Sequence, residues 1–399
     1  MNKSMIQPFN FARIPQIIFG TGKLSTLYEI IPTFGKKILL VIGEKSLKRS
    51  GRWDEITSNL DSKEFNYSQI SISGEPSPSL IDDCLEKFRS HDIDIVVGIG
   101  GGSVIDAGKA ISGMLPKTDS IVNYLEGVGH KTHDGNKIPY LALPTTSGTG
   151  SEATKNAVIS KIGKNGFKKS LRHDNLIPNI AIIDPELMIT CPPSISASCG
   201  MDAFTQLLEA YLSPKGSPLT NSLALSGMKY INESLLAVCS EGASNLEMRA
   251  AMAYGALLSG ICLANAGLGI VHGLASSIGG AFEIPHGVVC GTLLSEATKK
   301  NVNKLKTLGT QGDLGLEKYA EIGALLAGVY PPKDNDKLDH CNSLIKTLEI
   351  WTQKLKIERL GNYGITADNI DEVLEKTGLK NNPVKLTKEE IRAIIVNRI

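Results

Sequence analysis

The chain has 399 residues, 42% of them hydrophobic, enough to bury a large core across two or three domains. Its 42 Lys and Arg balance 41 Asp and Glu, so neither a basic nucleic-acid footprint nor an acidic solvating tail is present. A small-molecule role is expected, with no nucleic-acid partner.

The opening residues Met1 to Pro8 lack the apolar stretch of a secretory signal, and no run of about eighteen apolar residues follows anywhere, so a cytoplasmic protein without a membrane partner is expected. The seven cysteines have no CxxC spacing, which speaks against a disulfide framework and a thiolate cluster.

In chain order, Lys37–Gly43, Ile93–Gly100, Ile138–Pro144 and Ile180–Asp184 read as short β-branched strands of a buried parallel sheet. Helical spacing recurs between them, as in Ser79–Ser90, where Leu80, Ile81, Cys84, Leu85 and Phe88 share a face. This alternation predicts an α/β unit over residues 1–185. After Pro185 the strand-like runs stop. Helices are predicted over Ser194–Leu212, Pro218–Cys239, Leu246–Ala264, Gly269–Ala281, Glu317–Val329 and Leu338–Leu355, giving an all-α unit over 186–399.

Gly100, Gly101, Gly102 and Ser103 fall between a predicted strand and a predicted helix. There, glycines let a pyrophosphate approach backbone N–H groups at a helix N-terminus, and Ser103 adds a hydroxyl. Purely steric use of glycine in a tight βα turn is the plain alternative. A second loop, Pro144 to Glu152, follows another strand and is dense in hydroxyls and glycines. Two such loops at the ends of neighbouring parallel strands would share one ligand crevice. Glu44, at the end of the Lys37–Gly43 strand, is placed to accept hydrogen bonds from ribose hydroxyls and to repel a 2′-phosphate, which predicts NAD over NADP.

In the second half, His272 lies in an almost wholly apolar stretch and His286 follows Pro285; the two could converge as metal ligands or sit as core histidines. Asp202 and Gln206 are four apart on one helix face, and a buried acid there needs a partner or a metal, unless it only caps its helix.

Together these residues resemble the iron-containing, or group III, alcohol dehydrogenase family. The likeness runs through Ile17-Ile18-Phe19-Gly20-Thr21-Gly22, then Gly100–Ser103 with Asp106 and Lys109, then Pro144–Glu152. It continues with Asp184-Pro185-Glu186-Leu187, Gly200-Met201-Asp202-Ala203, Val271-His272 and Pro285-His286-Gly287. The resemblance implies a Rossmann-like N-terminal domain, an all-α C-terminal domain of dehydroquinate synthase-like architecture, and a homodimer. It places the cofactor at Glu44, Gly100, Gly101, Gly102, Ser103, Asp106, Thr145, Thr146, Thr149 and Ser151. It implies a divalent metal, Fe²⁺ or Zn²⁺, on Asp202, Gln206, His272 and His286. Two positions depart from the family: Gln206 replaces a histidine ligand, and Ser276 stands where many members have a substrate-facing histidine.

The implied reaction is hydride transfer between NAD and a primary alcohol or diol, or its aldehyde, with the metal polarising the oxygen. The alternatives are a metal-independent reductase of the maleylacetate reductase type, an enzyme like dehydroquinate synthase or glycerol-1-phosphate dehydrogenase, and a non-catalytic nucleotide sensor. The phosphate-handling enzymes need a basic cluster near the metal, and the sequence around Asp202, His272 and His286 is almost free of Lys and Arg. Phe167, Phe282 and Tyr363 are candidates for lining the pocket or packing in the core.

Overall fold

The computed structural model describes residues 6–163, 166–332 and 336–399. Through the first half, strands and helices alternate: β1 (Gln16–Phe19), α1 (Leu27–Ile30), β2 (Lys37–Gly43), α2 (Ser46–Arg49), α3 (Arg52–Ser62), β3 (Asn66–Ile72), α4 (Pro78–Phe88), β4 (Ile95–Gly100), α5 (Gly102–Met114) and β5 (Tyr140–Pro144). A two-stranded antiparallel hairpin, β6 (Asn156–Lys161) and β7 (Phe167–Arg172), precedes the last strand, β8 (Ile180–Ile183). Helices follow: α6 (Pro193–Leu212), α7 (Pro218–Val238), α8 (Leu246–Ala266), α9 (Ile270–Ala281), α10 (His286–Lys306), α11 (Asp313–Leu326), α12 (Lys337–Lys354), α13 (Ile370–Lys376) and α14 (Lys388–Val396).

Six strands form one parallel sheet in the order β3-β2-β4-β5-β8-β1. The four strands predicted from sequence lie in it. Residues of alternating parity point to opposite faces, so Leu39 and Val41 enter one core while Ile38, Leu40 and Ile42 enter the other. Covered on both sides, such strands need continuous apolar runs, which is why they were legible. The chain passes from β2 outward to β3 and then returns to β4 on the other side of β2. This reversal opens a crevice at the carboxyl ends of β2 and β4.

The third core belongs to the helices and reaches back to Ala181 and Ile183 on β8. Phe19 on β1 meets Tyr254 of α8 edge to face, with ring centroids 6.2 Å apart, so the helical layer covers this sheet edge. Helix α8 is long and apolar enough to cross a bilayer by length and composition, although Glu247 and Arg249 interrupt its apolar run. Here it packs against both α6 and α7, and 61% of its most apolar window is buried.

Several elements differ from the sequence expectation. β3 is an edge strand whose polar, alternating composition hid it, and the β6–β7 hairpin lies outside the main sheet. Helix α11 covers Asp313–Leu326 instead of Glu317–Val329, because it starts directly after Gly312. Helix α10, His286–Lys306, lies where no helix is predicted from sequence.

Candidate active site

The glycine-rich turn and the hydroxyl-rich loop meet at the carboxyl ends of β4 and β5. Gly100 pairs in register with Pro144, and the Thr145 N–H donates to the Gly100 carbonyl at 2.9 Å. A Cβ on Gly102 would lie 2.6 Å from the Thr149 side chain, so the two loops pack directly on one another. Gly101 is the N-cap of α5, and Gly102 and Ser103 form its first turn, whose N–H groups have no partner inside the helix. An anion seated there also meets the favourable end of the helix dipole.

Glu44 lies just past β2, beside the switch in strand order. Its carboxylate accepts from Ser73 Oγ at 3.3 Å and pairs with Lys45 at 3.6 Å, while the side chain stays half-exposed. Asp106 and Ser151 turn inward instead. Ser151 Oγ donates to one carboxylate oxygen of Asp106, and the Val158 N–H donates to the other at 3.1 Å. Lys109 is fully buried, with its ammonium within hydrogen-bonding reach of the Ser151 and Asn156 carbonyls and the Thr154 hydroxyl. Burial lowers its pKa to about 8 against the pull of Asp106 and Glu152. These residues brace the loop that carries Thr145, Thr146 and Thr149.

Across the cleft, Asp202, Gln206 and Glu209 occur at i, i+4 and i+7 of α6, on one buried face. His272 comes from the first turn of α9 and His286 is the first residue of α10. His272 Nε2 lies 3.2 Å from Asp202 Oδ1, and His286 Nε2 lies 3.7 Å from the same oxygen. The rings are 5.4 Å apart between centroids. Residues 70 and more positions apart in sequence thus converge on one carboxylate oxygen.

Two further residues belong to this cluster that the sequence reading had not singled out. Cys290, one turn after His286 on α10, brings its sulfur to 3.7 Å from both His272 Nε2 and His286 Nε2. Glu209 faces the other side of His272: its Oε2 is 2.8 Å from Nδ1, and its Oε1 accepts from the Val271 N–H at 2.7 Å. One carboxylate therefore caps the start of α9 and fixes the ring that α9 presents.

Gln206 stands beside the cluster but turns its nitrogen toward it. The amide N–H donates to Asp202 Oδ2 at 3.2 Å, and the amide oxygen accepts from Ser259 Oγ at 3.0 Å. An amide N–H beside a carboxylate is the favourable orientation, since the oxygen would meet like charge. Ser259 Oγ is also 3.3 Å from the Gly148 carbonyl, so this hydroxyl lies between the hydroxyl-rich loop and the cluster.

Charge is distributed unevenly. Burial would raise the Asp202 carboxyl, but His286 and His272 outweigh it and hold it well below the usual carboxylate range. Burial also opposes a charged His272, yet Cys290, Asp202 and Glu209 raise its pKa well above the ordinary value. His286 is pushed the other way, to about 4, by burial against the pull of Asp202, with Lys168 and His272 adding to the lowering.

That Lys168 effect corrects one sequence expectation. The segments carrying the cluster are poor in Lys and Arg, but Lys168 arrives from β7, paired with Glu75, and Lys380 arrives from the C-terminal region. Lys380 Nζ donates to Ser276 Oγ at 3.4 Å, and Ser276 in turn donates to the His272 carbonyl at 2.9 Å. Phe282 and Tyr363 pack against the helical core and Phe167 against the core that holds Leu39 and Val41, while the Tyr363 hydroxyl donates to Glu358.

Two family signatures match the chain: iron-containing alcohol dehydrogenase over residues 15–185, and the C-terminal region of the same family over residues 196–399. The NADPH-dependent butanol dehydrogenase of Clostridium saccharobutylicum is 34% identical over 394 residues, covering 95% of each chain. Among solved structures, a 1,3-propanediol oxidoreductase superposes with a TM-score of 0.86 at 29% identity, covering 98% of this chain and 100% of its own. Sulfoacetaldehyde reductase from Bifidobacterium kashiwanohense, in complex with NAD⁺, superposes with a TM-score of 0.82 at 25% identity, covering 98% and 99% of the two chains.

Proposed function

The chain belongs to the iron-containing alcohol dehydrogenase family, and from that membership we propose that it moves a hydride between NAD(H) and a primary alcohol or diol, the aldehyde being the oxidised partner. One observation carries the reading: a nucleotide-type crevice and a cluster of metal-type donors are bridged by one hydroxyl, Ser259, which touches Gly148 on one side and Gln206 on the other.

In this reading residues 1–185 form the nucleotide unit and residues 186–399 the unit that carries the metal and substrate. The first turn of α5, at Gly102 and Ser103, holds the pyrophosphate with Thr145, Thr146 and Thr149 opposite. Glu44 takes the adenosine ribose, which favours NAD. A similar protein named for NADPH and a similar structure holding NAD⁺ show why this choice must be measured for this chain.

The donors suit a divalent cation such as Fe²⁺ or Zn²⁺: two buried or half-buried imidazole nitrogens lie 3.2 and 3.7 Å from one oxygen of an ionised carboxylate. When bound, such a cation acts as a Lewis acid toward the alcohol oxygen. The chain's own groups do the rest. Glu209 holds His272 in the tautomer that leaves Nε2 free as a donor. Gln206 occupies Asp202 Oδ2 and so leaves Oδ1 to the cluster. The Ser276 proton is committed to the His272 carbonyl, and the Lys380 ammonium stands behind that hydroxyl.

The deciding experiment is metal analysis of the purified chain together with a screen of primary alcohols, diols and aldehydes against NAD and NADP. Steady NADH formation with a primary alcohol and one divalent ion per chain is expected. Turnover without any metal, even after loading, would favour the metal-independent alternative that Gln206 keeps in view.

A further inference from the structure

The reading above leaves the fourth donor open, because the family position for it holds Gln206. Resting on that reading, we propose that the sulfur of Cys290, and not the amide of Gln206, completes the coordination of the divalent metal.

Geometry comes first. Asp202, His272, His286 and Cys290 each offer one donor atom, and all four atoms lie within 4.8 Å of one another. Four of the six separations are 3.2, 3.7, 3.7 and 3.7 Å. A tetrahedron built with metal bonds of about 2.0–2.1 Å to N or O and about 2.3 Å to S has edges of roughly 3.3 to 3.6 Å. The side chains stand near those edges already. Their arrangement also follows from the chain, since His286 and Cys290 are four apart on α10 and share one helix face.

The chemistry of the surroundings points the same way. A buried cysteine of the ordinary kind lies against aliphatic carbon as a small hydrophobe. Cys290 is fully buried, yet its sulfur faces two imidazole nitrogens. Gln206, by contrast, turns its oxygen to Ser259 at 3.0 Å and points its nitrogen at Asp202 at 3.2 Å. Coordination by Cys290 breaks the S–H bond and forms a sulfur–metal bond; the proton leaves to solvent and nothing is oxidised or reduced. The resulting donor set, two nitrogens, one oxygen and one sulfur, selects zinc or another borderline ion over magnesium, calcium or manganese.

The test uses the full-length chain, stripped of metal and reloaded with Co²⁺ under reducing conditions. Unmodified protein is expected to take up one cobalt per chain and to show a near-ultraviolet sulfur-to-cobalt charge-transfer band. Cys290→Ser should lack that band and bind zinc at least about tenfold more weakly, whereas Gln206→Ala should keep the band. X-ray absorption at the zinc edge gives a second readout that needs no variant, with one sulfur expected at about 2.3 Å. A cobalt-loaded chain without the band, or a zinc shell without sulfur, overturns Cys290 and leaves the metal reading standing. A chain that takes up no cobalt or zinc defeats the metal reading and the proposal together.

Discussion

Glu209 and His272 meet at 2.8 Å, carboxylate oxygen to Nδ1, while the other nitrogen of the same ring faces Asp202 two turns back along α6. A histidine held this way has its tautomer set by the acid behind it, which also raises its basicity as a donor. Glu209→Gln should therefore keep the fold and weaken metal binding by roughly 10- to 100-fold, the usual range for such supporting partners. Competition against a chelator of known affinity measures it; unchanged affinity would reduce Glu209 to a helix cap.

His272→Ala and His286→Ala should each lose bound metal and turnover together. Each removes one of the imidazoles that face Asp202 Oδ1. Elemental analysis beside an assay with NAD and a primary alcohol tests both, and full activity in either variant would take that residue out of the site.

Glu44 is half-exposed and meets Ser73 and Lys45 at 3.3 and 3.6 Å, just past β2 and beside the switch in strand order. The unmodified chain should prefer NAD. Glu44→Ser should shift the ratio of kcat/KM values toward NADP by about tenfold, equivalent to about 1.4 kcal/mol. Equal efficiency with both cofactors in the unmodified chain would end the argument from this residue.

Gly260 on α8 touches the loop at Gly150, where a Cβ on Gly260 would lie 2.1 Å from the Gly150 carbonyl oxygen. Gly150 itself has φ +59 and faces the Gly260 backbone in return. Backbone cannot yield as a side-chain tip can. Gly260→Ala should cost about 1–3 kcal/mol through overpacking and raise KM for the nucleotide, because the displaced loop carries Thr149. A melting curve and cofactor KM identical to the parent's would show that the contact relaxes at no cost.

Glu152 is buried beneath the same loop, and that burial raises its pKa from the ordinary value to about 7, with Lys109 opposing the shift and Asp106 reinforcing it. The folded state therefore holds this proton more tightly than the unfolded chain. Its contribution to stability is complete below about pH 4.5 and is lost as pH rises through about 7. Between pH 5 and 8 the melting temperature of Glu152→Gln should gain several degrees on the parent. A difference that stays flat with pH would show that Glu152 is ionised throughout.

Much of the fold was legible because burial on two faces demands contiguous apolar residues, as in Lys37–Gly43 and Ile95–Gly100. Edge and hairpin strands carry no such demand, so Asn66–Ile72 and Phe167–Arg172 give no strand signal of that kind. At the site, Asp202, His272 and His286 were found by motif, and the structure brings them together. Glu209 had a weaker signal that went unused: an acid seven residues after Asp202, in a helix otherwise apolar on that face. Cys290 showed only as one cysteine among seven, although its spacing of four from His286 was there to be read. Lys168 and Lys380 had no local signal, since each reaches the cleft from an element distant in the chain.

Ser259 is a donor shared by three acceptors. Its single hydroxyl proton is in reach of the Gly148 and Gln206 acceptors at once, and of the Ala256 carbonyl at 2.8 Å, so it can favour only one at a time. A nucleotide that shifts Gly148 changes what is left for Gln206, and thereby the hold on Asp202. Linkage then makes the exchange symmetric: whatever factor the nucleotide imposes on metal affinity, the metal must impose on nucleotide affinity.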